Sequence, residues 1–73
     1  MVGYYIGTLQ DAECLVRVCS QFSEDIDVIY QSQIVDAKSF LGVVSLLGHW
    51  VSLNIITDDE NAKVIFKSKF MNS

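Results

Sequence analysis

In VGYYIGTLQDAECLVRVCSQF, residues 2–22, the hydrophobic periodicity changes once, and this change sets the order of the first two elements. Up to Ile6, every second residue is apolar, which is typical of a strand with one buried face. From Thr8 onward the apolar side chains recur at helical spacing. Thr8 followed by Asp11 resembles a capping box with aspartate in place of glutamate. The stretch therefore predicts a strand and then a helix over residues 9–22. The apolar face of that helix is formed by Ala12, Leu15, Val16, Cys19 and Phe22.

Three further strands follow from the same alternation of apolar and polar side chains. Residues 26–30 predict the second strand, and a turn at Gln31 and Ser32 leads into a short third strand around Ile34. This turn lacks the Asn-Gly type of signal that tight hairpins favour, so its geometry stays open. Residues 51–55 predict the fourth strand.

Two further helices are predicted in the second half of the chain. Residues 39–47 predict a short helix that apolar side chains almost encircle. Thr57 and Glu60 match a capping box that opens the last helix. The buried face of the last helix is expected to carry Ala62, Ile65, Phe66 and Phe70.

The element order β-α-β-β-α-β-α predicts an α+β fold. Each strand shows a single apolar face, as in an antiparallel sheet that helices cover on one side. The length of 73 residues suits a single domain, residues 1–73, with a modest core. The 51% of hydrophobic and 19% of charged residues fit a folded globule. We therefore predict a two-layer open-faced sandwich with four strands and three helices.

The net charge of −4 restricts the partners that we expect. Non-specific nucleic-acid binding needs a basic footprint, so nucleic acid is not an expected partner. Three of the five basic residues, Lys63, Lys67 and Lys69, fall in the C-terminal segment, where a solvated helix face is a simpler interpretation than an anion-binding patch. Polar residues interrupt the longest apolar run, and the sequence shows no signal peptide or membrane span. We therefore expect a cytoplasmic protein without membrane insertion.

Cys14 and Cys19 match neither a disulfide nor a metal-binding pattern. Five residues of helix separate their Cα atoms by about 7.5 Å along the axis, and the side chains point apart. Without a nearby histidine, the two thiols suit neither a zinc site nor a secreted disulfide framework. We expect no metal and no cofactor, with Cys19 buried and Cys14 near the surface.

The stretch KSFLGVVSL, residues 38–46, resembles the segment around the regulatory serine of HPr, the histidine-containing phosphocarrier protein of the bacterial sugar phosphotransferase system. The family pattern is a Lys-Ser pair, two apolar residues, Gly, two apolar residues, Ser and Leu, and this stretch matches every position. The order of elements extends the resemblance over the whole chain, and CSQF, residues 19–22, resembles the end of the family's first helix. The resemblance implies an HPr-like fold with the strand order 1-4-2-3.

The phosphoryl-accepting histidine of the family lies in a His-Ala-Arg-Pro motif at the start of the first helix. The four matching places here hold Thr8, Leu9, Gln10 and Asp11. A threonine hydroxyl needs a base to activate it, whereas a neutral imidazole attacks a phosphoryl donor near neutral pH. Gln10 cannot supply the charged fork of an arginine, and Asp11 would repel a phosphoryl group. The sequence therefore predicts a capped helix start with no catalytic residue, and a degenerate member of the family.

His49 is the only histidine of the chain and follows Gly48 in a predicted loop before the fourth strand. A packed or loop histidine is a far simpler interpretation than a relocated phosphoryl acceptor, because no arginine or Gly-rich loop accompanies it. Trp50 and the tyrosines are interpreted as core or sheet-face packing and not as a platform for bases.

Ser39 is the residue that remains a candidate for a regulatory role. Serine is among the best N-capping residues, and a cap alone would explain its presence. The resemblance implies a second role, phosphorylation by the family's serine kinase. A phosphate there would lie beside Lys38, which favours it, and near Asp36, which opposes it. Both readings stay open.

The helix at residues 39–47 cannot bury all its apolar side chains against one sheet face. If Val43, Leu46 and Leu47 pack inward, the others stay partly exposed. Those left partly exposed are Phe40, Leu41 and Val44. In the family the matching positions form the docking patch for enzymes and regulators, while a dimer interface or a covering loop would explain them equally well.

The sequence thus predicts a non-catalytic HPr-like module that regulates or binds proteins, with Ser39 as a candidate switch. It is not expected to be an enzyme. The resemblance implies protein partners such as a serine kinase or a transcription regulator, and the oligomeric state stays open. Two alternatives remain. One is a phosphocarrier with a non-standard acceptor, and the other is a small-ligand sensor domain, which no sequence feature favours.

Overall fold

The structure of the protein is a computed structural model that describes residues 1–71. Within these residues the chain forms four strands and three helices in the predicted order. The elements are β1 (Val2–Ile6), α1 (Leu9–Cys19), β2 (Ile26–Tyr30), β3 (Gln33–Asp36), α2 (Phe40–Val44), β4 (His49–Ile55) and α3 (Glu60–Met71).

The strands form one antiparallel sheet in the order β1-β4-β2-β3, which confirms the strand order implied by the resemblance. Tyr5 pairs with Trp50, and Val28 pairs with Leu53. Because side chains alternate across a strand, Val28 and Leu53 face the helices and are fully buried, whereas Tyr5 and Trp50 lie on the open face. The predicted α+β sandwich, with helices on one face of the sheet, is confirmed.

The hydrophobic core lies between the sheet and the helices. Every strand except the edge strand β3 contributes buried side chains to it, and α1 contributes Ala12, Leu15 and Cys19. On α2 and in the turn after it, Val43 and Leu46 are buried. The core therefore joins elements that are distant in the sequence.

Helix α1 ends at Cys19, three residues before the predicted end. The Ser20 N–H still donates to the Val16 carbonyl, but the N–H groups of Gln21 and Phe22 donate to carbonyls only three residues back. Such bonds belong to a tighter 3₁₀-type turn, which replaces the last turn of the predicted helix. Phe22 remains half-buried against the core, so its predicted apolar role holds although its helical state does not.

Helix α2 is also shorter than predicted, five residues instead of nine. Ser39 is its N-cap, and after Val44 the N–H groups of Leu46 and Leu47 donate to carbonyls three residues back. The tightened turn rotates Leu47 outward, where 40% of the residue is exposed. The inward position predicted for Leu47 is therefore wrong, while those of Val43 and Leu46 are confirmed.

Strand β4 begins at His49, so the prediction that His49 and Trp50 lie in a loop is wrong. Gly48 adopts a φ of 90°, a conformation that favours glycine, and its N–H donates to the Ile6 carbonyl. This turn brings the chain directly into the sheet, and His49 pairs with Ile6.

The N-terminus of α3 differs from the predicted capping box. Thr57 Oγ1 accepts from the Asp59 N–H, and Asp59 Oδ1 accepts from the Asn61 N–H. The Asp59 carbonyl also accepts the first intrahelical bond, from the Lys63 N–H, so Asp59 and not Thr57 is the N-cap. The helix buries Ala62 and Phe66 as predicted.

Two side chains of the predicted buried face of α3 differ in their burial. Phe70 is half-buried against the core, whereas Ile65 is 52% exposed. Ile65 lies at the border of the buried face, so its predicted burial is wrong. No helix among residues 1–71 has the length and apolar character needed to cross a membrane.

Candidate functional site

The junction between β1 and α1 holds Thr8, which the sequence resemblance assigns to the family's phosphohistidine position. Thr8 is the N-cap of α1, and its Oγ1 accepts from the Asp11 N–H at 3.1 Å. In return, Asp11 Oδ2 accepts from the N–H groups of Thr8, at 3.0 Å, and Gly7, at 3.1 Å. The predicted capping box is therefore confirmed and is extended by the bond to Gly7. The negative charge of the Asp11 carboxylate therefore lies beside the backbone amides at the N-terminus of α1, where the helix dipole favours an anion.

Tyr4 supports this junction from the sheet. Its hydroxyl donates to the Asp11 carbonyl at 2.8 Å, and its ring makes an edge contact with Phe70 at a centroid distance of 5.9 Å. Burial raises the pKa of Tyr4 to about 12, and the negative charges that Cys14 and Asp11 can carry add to this effect. The phenol therefore remains a neutral hydrogen-bond donor at physiological pH.

Arg17 is the only arginine of the chain and does not lie at the start of α1. Its guanidinium pairs with the Glu13 carboxylate at 3.0 Å, one turn earlier on the same helix, and both side chains are exposed. Gln10, which the sequence resemblance assigns to the family's phosphate-binding arginine, is exposed. The start of α1 thus carries an acid and an amide where a phosphate site needs a cation.

His49 lies at the same end of the sheet as Thr8, because it pairs with Ile6 and Thr8 follows Ile6 by two residues. Its ring stacks on Tyr30 with a centroid distance of 4.2 Å and an interplanar angle of 28°. One face of the imidazole is therefore covered by an aromatic ring. This packing agrees with the simpler interpretation of His49 made from the sequence.

Ser39 caps α2 through a hydrogen bond of 3.3 Å from the Gly42 N–H to its Oγ. Its own N–H donates to the Asp36 carbonyl, and the Asp36 carboxylate accepts from the Lys38 N–H at 2.9 Å. Ser39 is exposed, so the hydroxyl has both an N-cap role and access to solvent. The hydrogen bond of its side chain stays within its own helix cap, as that of the Thr8 side chain stays within the cap of α1.

Lys38 has a structural contact that the sequence does not indicate. Its Nζ donates to the Phe22 carbonyl at 2.7 Å and so links the end of α1 to the loop before α2. Burial raises the pKa of the nearby Cys19 thiol to about 12, although the Lys38 charge acts in the opposite direction. Lys38 is thus already engaged and is not poised over the Ser39 hydroxyl.

Helix α2 and the turn after it expose a set of apolar side chains that we call the α2 patch: Phe40, Leu41, Val44 and Leu47. Leu41 is 81% exposed and Phe40 is 41% exposed. Val44 is half-buried against the core and adds its outer part. Gly42 lies under the patch, where a Cβ would come within 3.3 Å of Val35 Cβ, so α2 packs closely on β3. The predicted exposure of Phe40 and Leu41 and the predicted partial exposure of Val44 are confirmed, whereas the sequence did not predict the exposure of Leu47.

The comparisons with known proteins agree with this geometry. No protein-family model matches the sequence, and no curated protein matches it significantly. Among solved structures, HPr-C-His from Thermoanaerobacter tengcongensis matches with a TM-score of 0.69 and 29% sequence identity, over 99% of this chain and 96% of that chain. The shared fold is that of a phosphocarrier-type protein rather than that of an enzyme. Sheet order, the helix cover on one face and this match lead to one conclusion: the chain is an HPr-like domain.

Proposed function

We propose that residues 1–73 form a regulatory, protein-binding module that does not act as a phosphoryl carrier, docks partners through the α2 patch and is switched by phosphorylation of Ser39. The partners that fit this role are protein regulators, such as a serine kinase that modifies Ser39 and a transcription regulator that docks on α2. The proposal combines a start of α1 that opposes phosphoryl transfer with a surface on α2 that favours protein contacts.

The start of α1 supports the non-carrier part of the proposal. Asp11 Oδ2 lies 3.0 Å from the Thr8 amide nitrogen, so a phosphoryl group on Thr8 would meet a carboxylate at close range. Thr8 Oγ1 accepts a hydrogen bond from the helix, and no base is hydrogen-bonded to it within residues 1–71. An unactivated hydroxyl beside a fixed negative charge is a poor nucleophile for a phosphoryl donor.

The α2 patch is the observation that carries the proposal. Leu41 is 81% exposed, and Phe40 and Leu47 in the same segment have about half that exposure, which gives three apolar side chains outside a small core. Clustered apolar side chains on a soluble surface mark interaction sites more often than single ones do. Aromatic residues such as Phe40 are enriched in such interfaces. In the family that this chain resembles, the matching positions dock protein partners.

Ser39 lies at the edge of the α2 patch, one residue before Phe40. A phosphate on its hydroxyl would add about −1.5 to −2 charges at neutral pH. The Asp36 carboxylate is held nearby by the Lys38 amide, and the Lys38 ammonium is occupied by the Phe22 carbonyl. The added charge would lie at the edge of the α2 patch and would change which partners can dock there.

A matched pair of variants tests the docking surface. Leu41→Glu places a charge in the α2 patch, and Val64→Glu places the same charge at an apolar residue of α3 that is 66% exposed. Circular dichroism first confirms that both variants fold. In quantitative pull-downs from the native cell extract, we expect Leu41→Glu to lose the partners of the wild type and Val64→Glu to keep them. A folded Leu41→Glu protein that keeps every partner would contradict docking through α2.

A second pair isolates the charge at Ser39 from its capping role. Both Asp and Asn are good N-caps, so Ser39→Asp adds a negative charge while Ser39→Asn keeps the cap neutral. We expect Ser39→Asp to change the set of captured partners and Ser39→Asn to leave it as in the wild type. Incubation with the family's serine kinase should place one phosphate on Ser39. An unmodified Ser39, together with identical partners for both variants, would contradict the switch.

A further inference from the structure

A cavity of about 300 Å³ lies between α3 and the β1–β4 pair. Val2, the first residue of β1, lines it, whereas Thr8 follows the last residue of β1. The cavity is therefore at the opposite end of the sheet from the helix start discussed above. Its size falls at the lower end of the range for small-molecule sites in proteins.

The floor of the cavity is apolar and fixed in place. Val2, Leu53 and Phe66 line it, and each is at most 7% exposed. The Phe66 ring makes edge contacts with Phe22 and Phe70, with centroid distances of 5.5 and 5.0 Å. Because these rings hold one another in position, the floor is formed before any ligand arrives.

Two exposed lysines line the cavity next to this floor, Lys63 and Lys67 of α3. Residues four apart lie one above the other on a helix, so the two ammonium groups can reach the same ligand atom. Lys63 pairs with Glu60 at 3.0 Å, but an exposed pair of this kind is weak and easily exchanged. Within residues 1–71, no ion pair involves Lys67. Two positive charges thus line a cavity that has an apolar floor and that Asn54 also lines, in a chain with a net charge of −4.

We propose that this cavity binds a small carboxylate with an apolar body. The body would lie on Val2, Leu53 and Phe66, and the carboxylate would accept hydrogen bonds from Lys67 and Lys63. A water molecule takes about 30 Å³ in the liquid, so the cavity corresponds to roughly ten waters and to a ligand of roughly ten non-hydrogen atoms. The proposal concerns a site that is separate from the α2 patch and does not depend on docking there.

The sequence favours a solvated face for the three lysines of α3, but the structure places only two of them at the cavity. Lys63 and Lys67 line the cavity, whereas Lys69 lies outside its lining. Lys69 is therefore a matched control, since it has the same charge, lies on the same helix and is exposed. Lys67→Gln and Lys69→Gln change the net charge of the protein equally, so only a local effect of Lys67 distinguishes them.

An NMR titration with the full chain tests the site. The probes are 3-phenylpropionate and hexanoate, with 3-phenylpropan-1-ol as the neutral counterpart of the first. We expect saturable shifts of the Val2, Leu53 and Phe66 signals with at least one carboxylate and much weaker binding of the alcohol. Lys67→Gln should lower the carboxylate affinity about fivefold, and Lys69→Gln should leave it unchanged.

Three outcomes would overturn the proposal. The first is the absence of saturable shifts at the floor residues with both carboxylates. The second is equal affinity for the acid and the alcohol, which would leave the lysines without a role. The third is an equal loss in Lys67→Gln and Lys69→Gln, which would indicate general electrostatic attraction instead of a site. Circular dichroism of the two variants, whose changed side chains are exposed, confirms that the comparison is between folded proteins.

Discussion

The Asp11 carboxylate accepts hydrogen bonds from backbone N–H groups at the start of α1. The variant Asp11→Ala measures how much the stability of the fold depends on these bonds. The substitution removes the acceptor of two backbone N–H groups, those of Gly7 and Thr8, at 3.1 and 3.0 Å. Loss of a cap costs about 0.5–2 kcal/mol, and loss of the favourable charge at the helix start costs about 0.3–1 kcal/mol. Alanine returns about 0.6 kcal/mol through its higher helix propensity. We therefore expect the free energy of unfolding to fall by about 0.2–2.4 kcal/mol, with a central value of about 1.3 kcal/mol.

Urea unfolding followed by circular dichroism measures this change. Thermal unfolding should show a matching decrease in Tm of about 4–8 °C for each kcal/mol in a domain of this size. Asp11→Asn separates the two contributions, because it keeps an acceptor oxygen and removes the charge.

Glu13→Ala is the control for Asp11→Ala. Glu13 lies two residues later, is exposed and contributes only the surface pair with Arg17, worth about 0.3–0.5 kcal/mol. If Asp11→Ala lowers the free energy of unfolding no more than Glu13→Ala does, Asp11 does not cap the start of α1 as described.

Three further predictions concern the stability of the fold. Phe66→Ala should lower the free energy of unfolding by about 3–5 kcal/mol. This is a large part of the total of roughly 4–11 kcal/mol that is expected for 73 residues. If urea unfolding shows a decrease below about 1 kcal/mol, Phe66 does not have the central position in the core that the structure gives it. Gly48→Ala should cost about 1–2 kcal/mol because Gly48 has a φ of 90°, and an unchanged urea midpoint would contradict that reason. The raised pKa values of Tyr4 and Cys19, both about 12 against ordinary values of 10.0 and 9.0, keep both groups neutral in the folded state. Their contribution to stability is therefore complete below about pH 9 and is lost as the pH rises to about 12. Urea unfolding over this pH range measures the loss, and Tyr4→Phe should reduce its slope above pH 10.

The local elements were predictable because their causes lie within a few residues. The change of period at Thr8 fixes the end of β1 and the start of α1, and Asp11 completes the cap three residues later. Ser39 caps α2 by the same kind of local bond. The strand order is different, because pairings such as Tyr5 with Trp50 join distant parts of the chain. That order came from the family resemblance, and the periodicity of the sequence alone does not contain it.

The errors arose where neighbouring residues compete for one role. In the segment Thr57–Asp58–Asp59–Glu60, both Thr57 and Asp59 are able to cap a helix, and the structure uses Asp59 for the helix and Thr57 for the turn before it. Leu47 continues the apolar pattern of α2, but the helix tightens after Val44 and turns Leu47 outward. Periodicity does not show where a short helix stops.

Some features of the candidate sites could be predicted from local sequence, and others could not. The caps at Thr8 and Ser39 could be recognised from spacing, and so could the exposure of Leu41. The bond from Lys38 Nζ to the Phe22 carbonyl joins groups 16 residues apart, and the cavity beside Lys67 forms only when α3 packs on β1 and β4. These features depend on tertiary packing, so the sequence pattern carried no signal for them beyond the clustering of lysines.

A phosphoryl-transfer assay distinguishes a regulatory module from a phosphocarrier. The protein is incubated with phosphoenolpyruvate and the general phosphotransferase enzyme, with a histidine-containing HPr as the positive control, and the intact mass is measured at neutral pH and again after acid treatment. Because Asp11 closes the helix start at Thr8 and His49 stacks on Tyr30, we predict no added phosphoryl group while the control is fully modified. An acid-labile phosphate on this protein would contradict the account and identify the chain as a phosphocarrier with a non-standard acceptor.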